Sequence, residues 1–227
     1  GAMTTTSEVR DGMRVDWDVV IEVDDGLELR ADVYRPDDDG QYPVILSYGP
    51  YAKGLAFQDG YPSAWNRMAE EHPDVVAGST NKYQSWEVCD PEKWVPDGYV
   101  CVRVDSRGAG RSPGYIDHFS PRETKDFYDC IEWAGVQPWS DGKVGTMGDS
   151  YAGSDQAALA TMDPPHLSTM IVAVPGRTTD YDSDKAPSDP QERRTVKWLV
   201  DAAEHGSLDP SIAAAIKAVL SDRQFTV

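Results

Sequence analysis

Short hydrophobic runs separated by turn-forming residues recur along most of the chain. Residues 18–23 and 27–34 alternate polar and apolar positions around Asp24-Asp25-Gly26, a pattern typical of an antiparallel hairpin. Continuous apolar runs, typical of strands buried on both faces, lie within residues 42–48, 98–105, 143–147 and 167–174. Helical patterns over residues 121–134 and 154–162 separate the later runs. Strands that alternate with helices predict the α/β class, with a mostly parallel sheet and helices on its faces.

Residues 54–95 follow neither pattern. One short helix over residues 63–71, opened by a serine cap, is predicted there. The stretch is longer than an ordinary connection, which favours an insertion or a functional loop. Its aromatic residues either line a site or pack the loop onto the domain, and the sequence leaves both alternatives open. These aromatic residues are Trp65, Tyr83, Trp86 and Trp94.

The two ends of the chain differ from its middle. The first residues resemble a cloning remnant, and residues 1–17 are predicted to be a flexible N-terminus ahead of an α/β core over residues 18–176. After Pro175 the composition becomes charged and rich in turn-forming residues. Helical patterns then follow over residues 195–204 and 211–220, with no further strand pattern.

The charge balance excludes several kinds of partner. The 39 acidic and 21 basic side chains give a net charge of −18, which repels phosphate backbones and anionic lipid headgroups. We therefore expect neither a nucleic-acid nor a membrane partner. No apolar stretch is long enough to span a membrane, and no signal-peptide core precedes residue 18. The protein is predicted to be cytoplasmic, with an export signal removed by cloning as the open alternative.

The cysteines and histidines lack the spacing of a disulfide framework or a metal site. The three cysteines are widely spaced and include no Cys-x-x-Cys pair, which predicts plain thiols. The four histidines show no metal-ligand spacing either. We therefore expect no cofactor and no metal.

The sharpest chemical signal is Gly148-Asp149-Ser150-Tyr151-Ala152-Gly153, which lies between a predicted strand and a predicted helix. A serine on so tight a turn needs small neighbours, and this segment supplies them. The backbone N–H of Tyr151, at the helix N-terminus, can then face a developing oxyanion. Ser150 is interpreted as a nucleophile, and the alternative is a serine that only caps the helix.

The base that would activate this serine is not evident. In strand-turn-helix serine hydrolases the acid and the histidine follow the serine along the chain, and only His166 and His205 do so. His166 is predicted to lie toward the opposite end of the sheet, and His205 near the end of a late helix. Both are interpreted as surface or packing histidines. His72 and His118 precede the serine, so no histidine is assigned as the base.

With these residues assembled, residues 18–175 resemble the X-Pro dipeptidyl-peptidase and cocaine-esterase-like (CocE/NonD) family of α/β-hydrolases. The segments that carry the resemblance are Asp25-Gly26, Leu29 to Pro36, Pro50 to Lys53, Asp97 to Asp105, Arg107 to Ser112, Ile131 to Trp133, Gln137 to Gly145 and Gly148 to Gly153. The resemblance implies an α/β-hydrolase-like, mostly parallel sheet with flanking helices, incomplete at its C-terminal side. It also implies that residues 177–227 begin a helical cap.

The resemblance further implies a serine hydrolase that cleaves a small-molecule ester or amide by acyl transfer. Ser150 would be the nucleophile, and the phenol of Tyr51 would join the Tyr151 backbone N–H in the oxyanion hole. Lys53 would be structural. Both Asp105 and Arg107 would brace the loop beside the site.

Family members also have a catalytic acid, a catalytic histidine, the rest of the cap and a C-terminal jelly-roll domain, none of which is found in this sequence. The chain is therefore expected to be partial and to show weak turnover by itself. Two other interpretations stay open. In one, the chain is a truncated, non-catalytic module that binds a ligand or partner through its exposed sheet edge. In the other, a partner chain or a second copy completes the sheet and supplies the histidine.

Overall fold

A computed structural model of the chain describes residues 4–175. Its strands are β1 (Thr6–Arg10), β2 (Met13–Glu22), β3 (Glu28–Arg35), β4 (Tyr42–Gly49), β5 (Val100–Asp105), β6 (Ser140–Asp149) and β7 (Leu167–Pro175). They form one sheet in the order β1-β2-β3-β5-β4-β6-β7. The first three strands pair antiparallel, and β3 pairs antiparallel with β5. Strands β5, β4, β6 and β7 run parallel to their neighbours.

The helices occupy the connections between the parallel strands. Between β4 and β5 lie α1 (Phe57–Gly60), α2 (Pro62–Glu71), α3 (Pro73–Val76), α4 (Pro91–Trp94) and a 3-10 turn at Val95–Asp97. Helix α5 (Pro121–Gly135) connects β5 to β6, and α6 (Ser150–Ala160) connects β6 to β7. This alternation confirms the predicted α/β class and the parallel core of the sheet.

Helix α5 shows why the predicted helices form. The hydroxyl of Ser120 accepts the Glu123 backbone N–H at 3.1 Å, and Pro121 occupies the first helical position, where its missing N–H leaves no helical bond unmade. Apolar residues three and four positions apart then face the sheet. The buried apolar residues of this face are Phe127, Cys130, Ile131 and Ala134.

Two helix starts differ from their prediction. The helix predicted over residues 63–71 begins at Pro62, without a side-chain cap, because proline at the first position starts a helix by its fixed φ. The helix predicted over residues 154–162 begins at Ser150, directly after β6. The chain therefore turns from strand to helix without an intervening residue.

The prediction of a flexible N-terminus over residues 1–17 is wrong for the residues that the structure describes there. Strand β1 pairs with β2, and the turn between them is Asp11-Gly12, with φ of 47° and 79°. Two residues in the left-handed region form the turn that a two-residue hairpin favours. Met13 and Val15 of β2 are buried, and this contact with the core holds the hairpin in place.

The sheet separates two hydrophobic clusters. The larger one joins the sheet to α5 and α6 and includes Ile21, Leu46, Val102, Phe127, Ile131 and Leu159. The smaller one, on the other face, includes Met13, Tyr34, Ile45, Tyr83, Cys89 and Cys101. The three cysteines are free thiols, as the sequence predicted, and the structure buries all three.

The cap predicted over residues 177–227, with its two helices, lies outside the described residues. Within residues 4–175, no helix combines the length and the hydropathy that a membrane span requires.

Candidate active site

The ends of three neighbouring parallel strands define the candidate site. Strand β4 ends at Gly49, β5 at Asp105 and β6 at Asp149, and β4 lies between the other two. The loops after parallel strands meet at one edge of the sheet, where α/β proteins bind their ligands. Tyr51 follows β4 by two residues, and Ser150 follows β6 directly. The topology therefore places both predicted residues at the same edge.

Lys53 anchors the loop that carries Tyr51. Its ammonium lies 2.8 Å from Asp18 and 2.6 Å from Asp32, and its side chain is only 5% exposed. Its backbone N–H donates to Asp105 Oδ1 at 2.6 Å. Ala52, between Tyr51 and Lys53, has a φ of 66°, a left-handed conformation that costs a non-glycine residue about 1–2 kcal/mol. The two ion pairs of Lys53 and the hydrogen bond of its backbone N–H offset this cost. These contacts agree with the structural role that the resemblance implied for Lys53.

Asp105 joins this loop to the loop that follows β5. Its carboxylate accepts the backbone N–H of Lys53 and, at 2.8 Å, that of Arg111. Burial raises the pKa of Asp105, and the two N–H donors oppose that shift. One carboxylate thus braces both loops beside the site, in agreement with the expectation from the resemblance.

Arg107 braces the loop after β5 from its other side. Its guanidinium makes two bonds to Asp126 of α5, at 2.7 and 2.9 Å, and contacts Asp25 at 2.9 Å. The Asp126 side chain is fully buried. A bidentate pair of this kind fixes the geometry of both partners. Arg107 therefore ties the loop to α5 and to the turn between β2 and β3.

The structure brings Tyr51 and Tyr151 together. Their rings meet edge to face, with centroids 6.2 Å apart and planes at 78°. Tyr151 is the second residue of α6, so its backbone N–H is among the first N–H groups of that helix, which have no partner within the helix itself. The predicted strand-to-helix transition at Ser150 is present. The roles of Ser150, Tyr51 and Tyr151 in chemistry remain proposals.

The Tyr151 side chain contacts a set of polar groups that the sequence did not reveal. Its hydroxyl lies 3.0 Å from Nδ1 of His118 and donates to Glu123 Oε1. The Phe119 ring lies 4.6 Å from the Tyr151 ring, and the Phe119 N–H donates to Glu123 Oε2 at 3.1 Å. Burial and the bond to Glu123 raise the pKa of Tyr151, so the phenol stays protonated.

Glu123 in turn contacts a second buried carboxyl group, Asp155 of α6. Both residues are 6% exposed. Burial, reinforced by the neighbouring Glu123 carboxylate, raises the pKa of Asp155 to about 9. Burial also raises the pKa of Glu123, against the donors that it accepts from. The glutamate at the third position of α5, a capping-box position, was the one signal that could have drawn attention to this group.

A cleft open to solvent runs beside Tyr51. It is lined by the end of β4, by residues 51–53 and by the insertion at Ser85, Trp86, Glu87 and Val88, and its cavity volume is about 30 Å³. The insertion thus forms one wall of the cleft beside Tyr51.

The predicted alternatives for the aromatic residues of the insertion both occur. Trp86 lines the cleft, whereas Trp65 packs on Phe57 at 5.3 Å. Tyr83 packs on Tyr34 at 5.6 Å, and Trp94 packs on Tyr99 at 5.3 Å.

The described histidines divide into one near the site and two away from it. His166 precedes β7, and its Nδ1 lies 2.6 Å from Glu132 of α5. This is the opposite end of the sheet, as the sequence predicted. His72 caps the end of α2. His118 was set aside because it precedes the serine in the chain, yet its imidazole lies beside Tyr151. Chain order did not predict this contact, because the loop after β5 returns to the same sheet edge.

Comparison with known proteins gives one family and several related hydrolases. Residues 25–218 match the family described as X-Pro dipeptidyl-peptidase (S15 family). Cocaine esterase from Rhodococcus sp. (strain MB1 Bresler) is 34% identical over 139 residues, which are 61% of this chain and 20% of the esterase. A CocE/NonD family hydrolase from Staphylococcus aureus has a similar crystal structure, with a TM-score of 0.58 and 36% identity, over 70% of this chain and 27% of the hydrolase.

An acetyl xylan esterase from Paenibacillus sp. R4 shares the fold alone, at 16% identity. Its TM-score is 0.53, over 92% of this chain and 66% of the esterase. The chain spans between 20% and 29% of the length of the curated relatives that it matches.

Proposed function

Because the chain belongs to the X-Pro dipeptidyl-peptidase (S15) family, we propose that it acts as a serine hydrolase that cleaves an ester or amide by acyl transfer. Ser150 is the nucleophile in this proposal. The observation that carries it is the meeting of Tyr51 and Tyr151, 6.2 Å apart by ring centroids, at the carboxyl ends of β4 and β6. A hydroxyl nucleophile and two donors at one sheet edge are the groups that acyl transfer requires.

The proposed chemistry proceeds in two steps. The Ser150 hydroxyl loses its proton to a base as its oxygen attacks the substrate carbonyl carbon, and the carbonyl oxygen becomes an oxyanion. The Tyr51 phenol and the Tyr151 N–H donate to that oxyanion. Expulsion of the leaving alcohol or amine, which receives the proton, leaves an acyl-serine. Water then releases the acid by the reverse sequence.

We assign the base and its orienting acid to sequence that is not part of this 227-residue chain. His166 lies at the far end of the sheet beside Glu132. His118 is committed to the Tyr151 hydroxyl. This assignment leaves the 227-residue chain with weak turnover, because loss of a triad member lowers the rate by about 10⁴-fold or more while the oxyanion hole still operates.

We infer that the substrate is a small ester or amide whose acyl or leaving group enters the cleft beside Tyr51. Trp86 lines the cleft there, and the cleft is open to solvent, so a small group can enter it. The name of cocaine esterase, the relative with 34% identity, favours an ester over a peptide bond.

A fluorophosphonate probe tests the proposal, because it forms a covalent bond only with an activated serine. The probe is applied to the chain and to the Ser150→Ala and Ser154→Ala variants, with intact-mass analysis and peptide mapping. We expect slow labelling at Ser150 in the parent and in Ser154→Ala, which keeps the nucleophile on the same helix, and none in Ser150→Ala. Equal labelling of Ser150→Ala and the parent overturns the assignment.

A second function, a non-catalytic module that binds a partner through its sheet edge, is favoured by one observation. Among the described residues β7 pairs only with β6, and Met170, Ile171 and Val172 of β7 are 38–44% exposed. An edge strand with exposed apolar side chains is a template for another strand. In this case the chain elutes as a dimer or larger assembly in size-exclusion chromatography with mass detection, and a Ser150→Ala variant behaves identically. Elution as a monomer would count against pairing of β7 with a second copy of the chain.

A further inference from the structure

A buried pair of carboxyl groups lies under the first turn of α6. Glu123 comes from α5 and Asp155 from α6, and each is 6% exposed. They are hydrogen-bonded to each other. Asp155 Oδ2 is buried and has no hydrogen-bond partner among the described residues. The pair therefore joins α5 to α6, the helix that begins with the candidate nucleophile.

The basic group that acts on the pair is the imidazole of His118, which opposes the rise in the pKa of Glu123. The nearest arginines, Arg107 and Arg122, both bind Asp126 one turn further along α5. Among the described ion pairs, none includes Glu123 or Asp155. The titratable groups that face the pair are Tyr48 of β4, Tyr151 of α6, His118 of the loop after β5, and Asp126 and Cys130 of α5. Two carboxylates in contact at such a place cannot both ionise near neutral pH.

The hydrogen bonds show where the single proton resides. Glu123 accepts from the Phe119 N–H at 3.1 Å and from the Tyr151 hydroxyl, as a carboxylate does. The described donors to the pair, the Phe119 N–H and the Tyr151 hydroxyl, both point to Glu123, so we place the proton on Asp155, which donates it to Glu123. Because the Tyr151 hydrogen points to Glu123, its oxygen accepts from Nδ1–H of His118. The order of donation is His118 to Tyr151 to Glu123, with Asp155 donating to Glu123 from the other side.

We propose that Glu123 and Asp155 share one proton and are positioning residues that hold Tyr151, and with it the start of α6, in the geometry the oxyanion hole requires. Their catalytic meaning rests on the proposed function, whereas the shared proton does not. A phenol held by two partners fixes χ1 of Tyr151 and so limits rotation of its peptide unit. Loss of the shared proton puts two charges in contact and loosens this turn.

The sign of the pH effect follows from proton counting. Below about pH 4 the Asp155 carboxyl is protonated in both the folded and the unfolded chain, so it adds no difference. Between about pH 4 and pH 9 the folded state keeps a proton that the unfolded state has lost, because the folded pKa is raised to about 9. Stability therefore falls as pH rises through this window and levels off above it.

The Asp155→Asn variant tests this pH dependence of stability, because an amide has nearly the shape of the neutral acid and cannot ionise. We expect the melting temperature of Asp155→Asn to match the parent near pH 4–5 and to exceed it by at least about 5 °C near pH 9. Asp126→Asn is the matched control: it changes another buried aspartate, but one that pairs with arginines as an anion. The melting temperature of Asp126→Asn should be lower than that of the parent, and it should not exceed the parent's at high pH.

Infrared spectroscopy supplies a direct measurement of the proton. The parent should show the carbonyl stretch of a protonated carboxylic acid near neutral pH, and Asp155→Asn should lack that band. No band in the parent, or an Asp155→Asn variant that melts like Asp126→Asn at every pH, overturns the proposal.

The positioning role is measured by the fluorophosphonate labelling rate at Ser150. The parent should lose its rate above about pH 9, and Asp155→Asn should keep it. Glu123→Gln and Tyr151→Phe should label at least about tenfold more slowly at neutral pH. If the labelling rates of the parent and of Asp155→Asn fall in the same way above about pH 9, the positioning role is overturned. A parent that never labels overturns the proposed function instead, and the infrared and melting results still decide on the shared proton.

Discussion

The ammonium of Lys53 lies 2.6 Å from a carboxylate oxygen of Asp32, and the two side chains are 5% and 1% exposed. Asp18 completes the contact from the other side at 2.8 Å. A lysine withdrawn this far from water requires carboxylate partners, because an unpaired buried charge is costly. These charges hold the strained Ala52 and place Tyr51 at the sheet edge.

Replacing Lys53 by Met should leave Asp32 as an uncompensated buried charge and should leave Asp18 paired with Arg111 alone. We expect a loss of about 3–5 kcal/mol in the free energy of unfolding, measured by urea denaturation. Lys82→Met is the control, since the Lys82 side chain is 54% exposed and pairs with Asp11 at the surface, and it should cost less than about 1 kcal/mol. Equal losses in the two variants would contradict a structural role for Lys53.

The loss of folding stability at acid pH should depend on Asp18. Burial opposes its ionisation, but Lys53 and Arg111 outweigh burial, and the pKa of Asp18 is lowered. A lowered carboxyl pKa stabilises the folded state above the unfolded value of about 3.9, and this contribution disappears as pH falls through the folded pKa.

The Asp18→Asn variant measures the contribution of the Asp18 carboxylate to the free energy of unfolding. Asn accepts the left-handed φ of 53° at this position. We expect the parent to be more stable than Asp18→Asn near pH 6, with the difference in unfolding free energy shrinking toward about pH 3. A difference that stays constant across that range would show that Asp18 does not titrate as described.

Gly110 should tolerate no side chain, because a Cβ there would overlap the Asp105 carboxylate that holds the Lys53 N–H. Gly142→Ala is the control: its φ of +87° is also left-handed, but a Cβ there meets no atom within 4 Å. We expect Gly110→Ala to lose about 1–3 kcal/mol more than Gly142→Ala in thermal or urea unfolding. Similar losses would mean that the Asp105 carboxylate can move aside.

The Tyr51 phenol should act in the transition state. Tyr51→Phe keeps the ring contact with Tyr151 and removes the proposed oxyanion donor. We expect kcat on a chromogenic ester, or the fluorophosphonate labelling rate, to fall by about 10²- to 10³-fold, with KM nearly unchanged. Tyr99→Phe, which removes a hydroxyl from a residue packed on Trp94, should leave both rates unchanged. A Tyr51→Phe variant with parental rates would remove Tyr51 from the mechanism.

The periodic parts of the fold were predictable from the sequence, because strand and helix patterns depend on neighbours close in the chain. The parallel strands, α5 and the transition at Ser150 follow from such patterns. The N-terminal hairpin was missed although its Asp11-Gly12 turn is a local signal, because the preceding strand is exposed along its whole length and shows no apolar period.

The sequence by itself determined the α/β class and placed Ser150, Tyr51 and Tyr151 after the strands that meet at one sheet edge. Only the tertiary structure decided which groups surround Tyr151. His118 and Glu123 precede it by 33 and 28 positions, and Asp155 reaches Glu123 from another helix. Hydrophobic periodicity is a property of a short segment. A shared proton, in contrast, depends on distance and on the absence of water, which exist only after the strands and helices have packed.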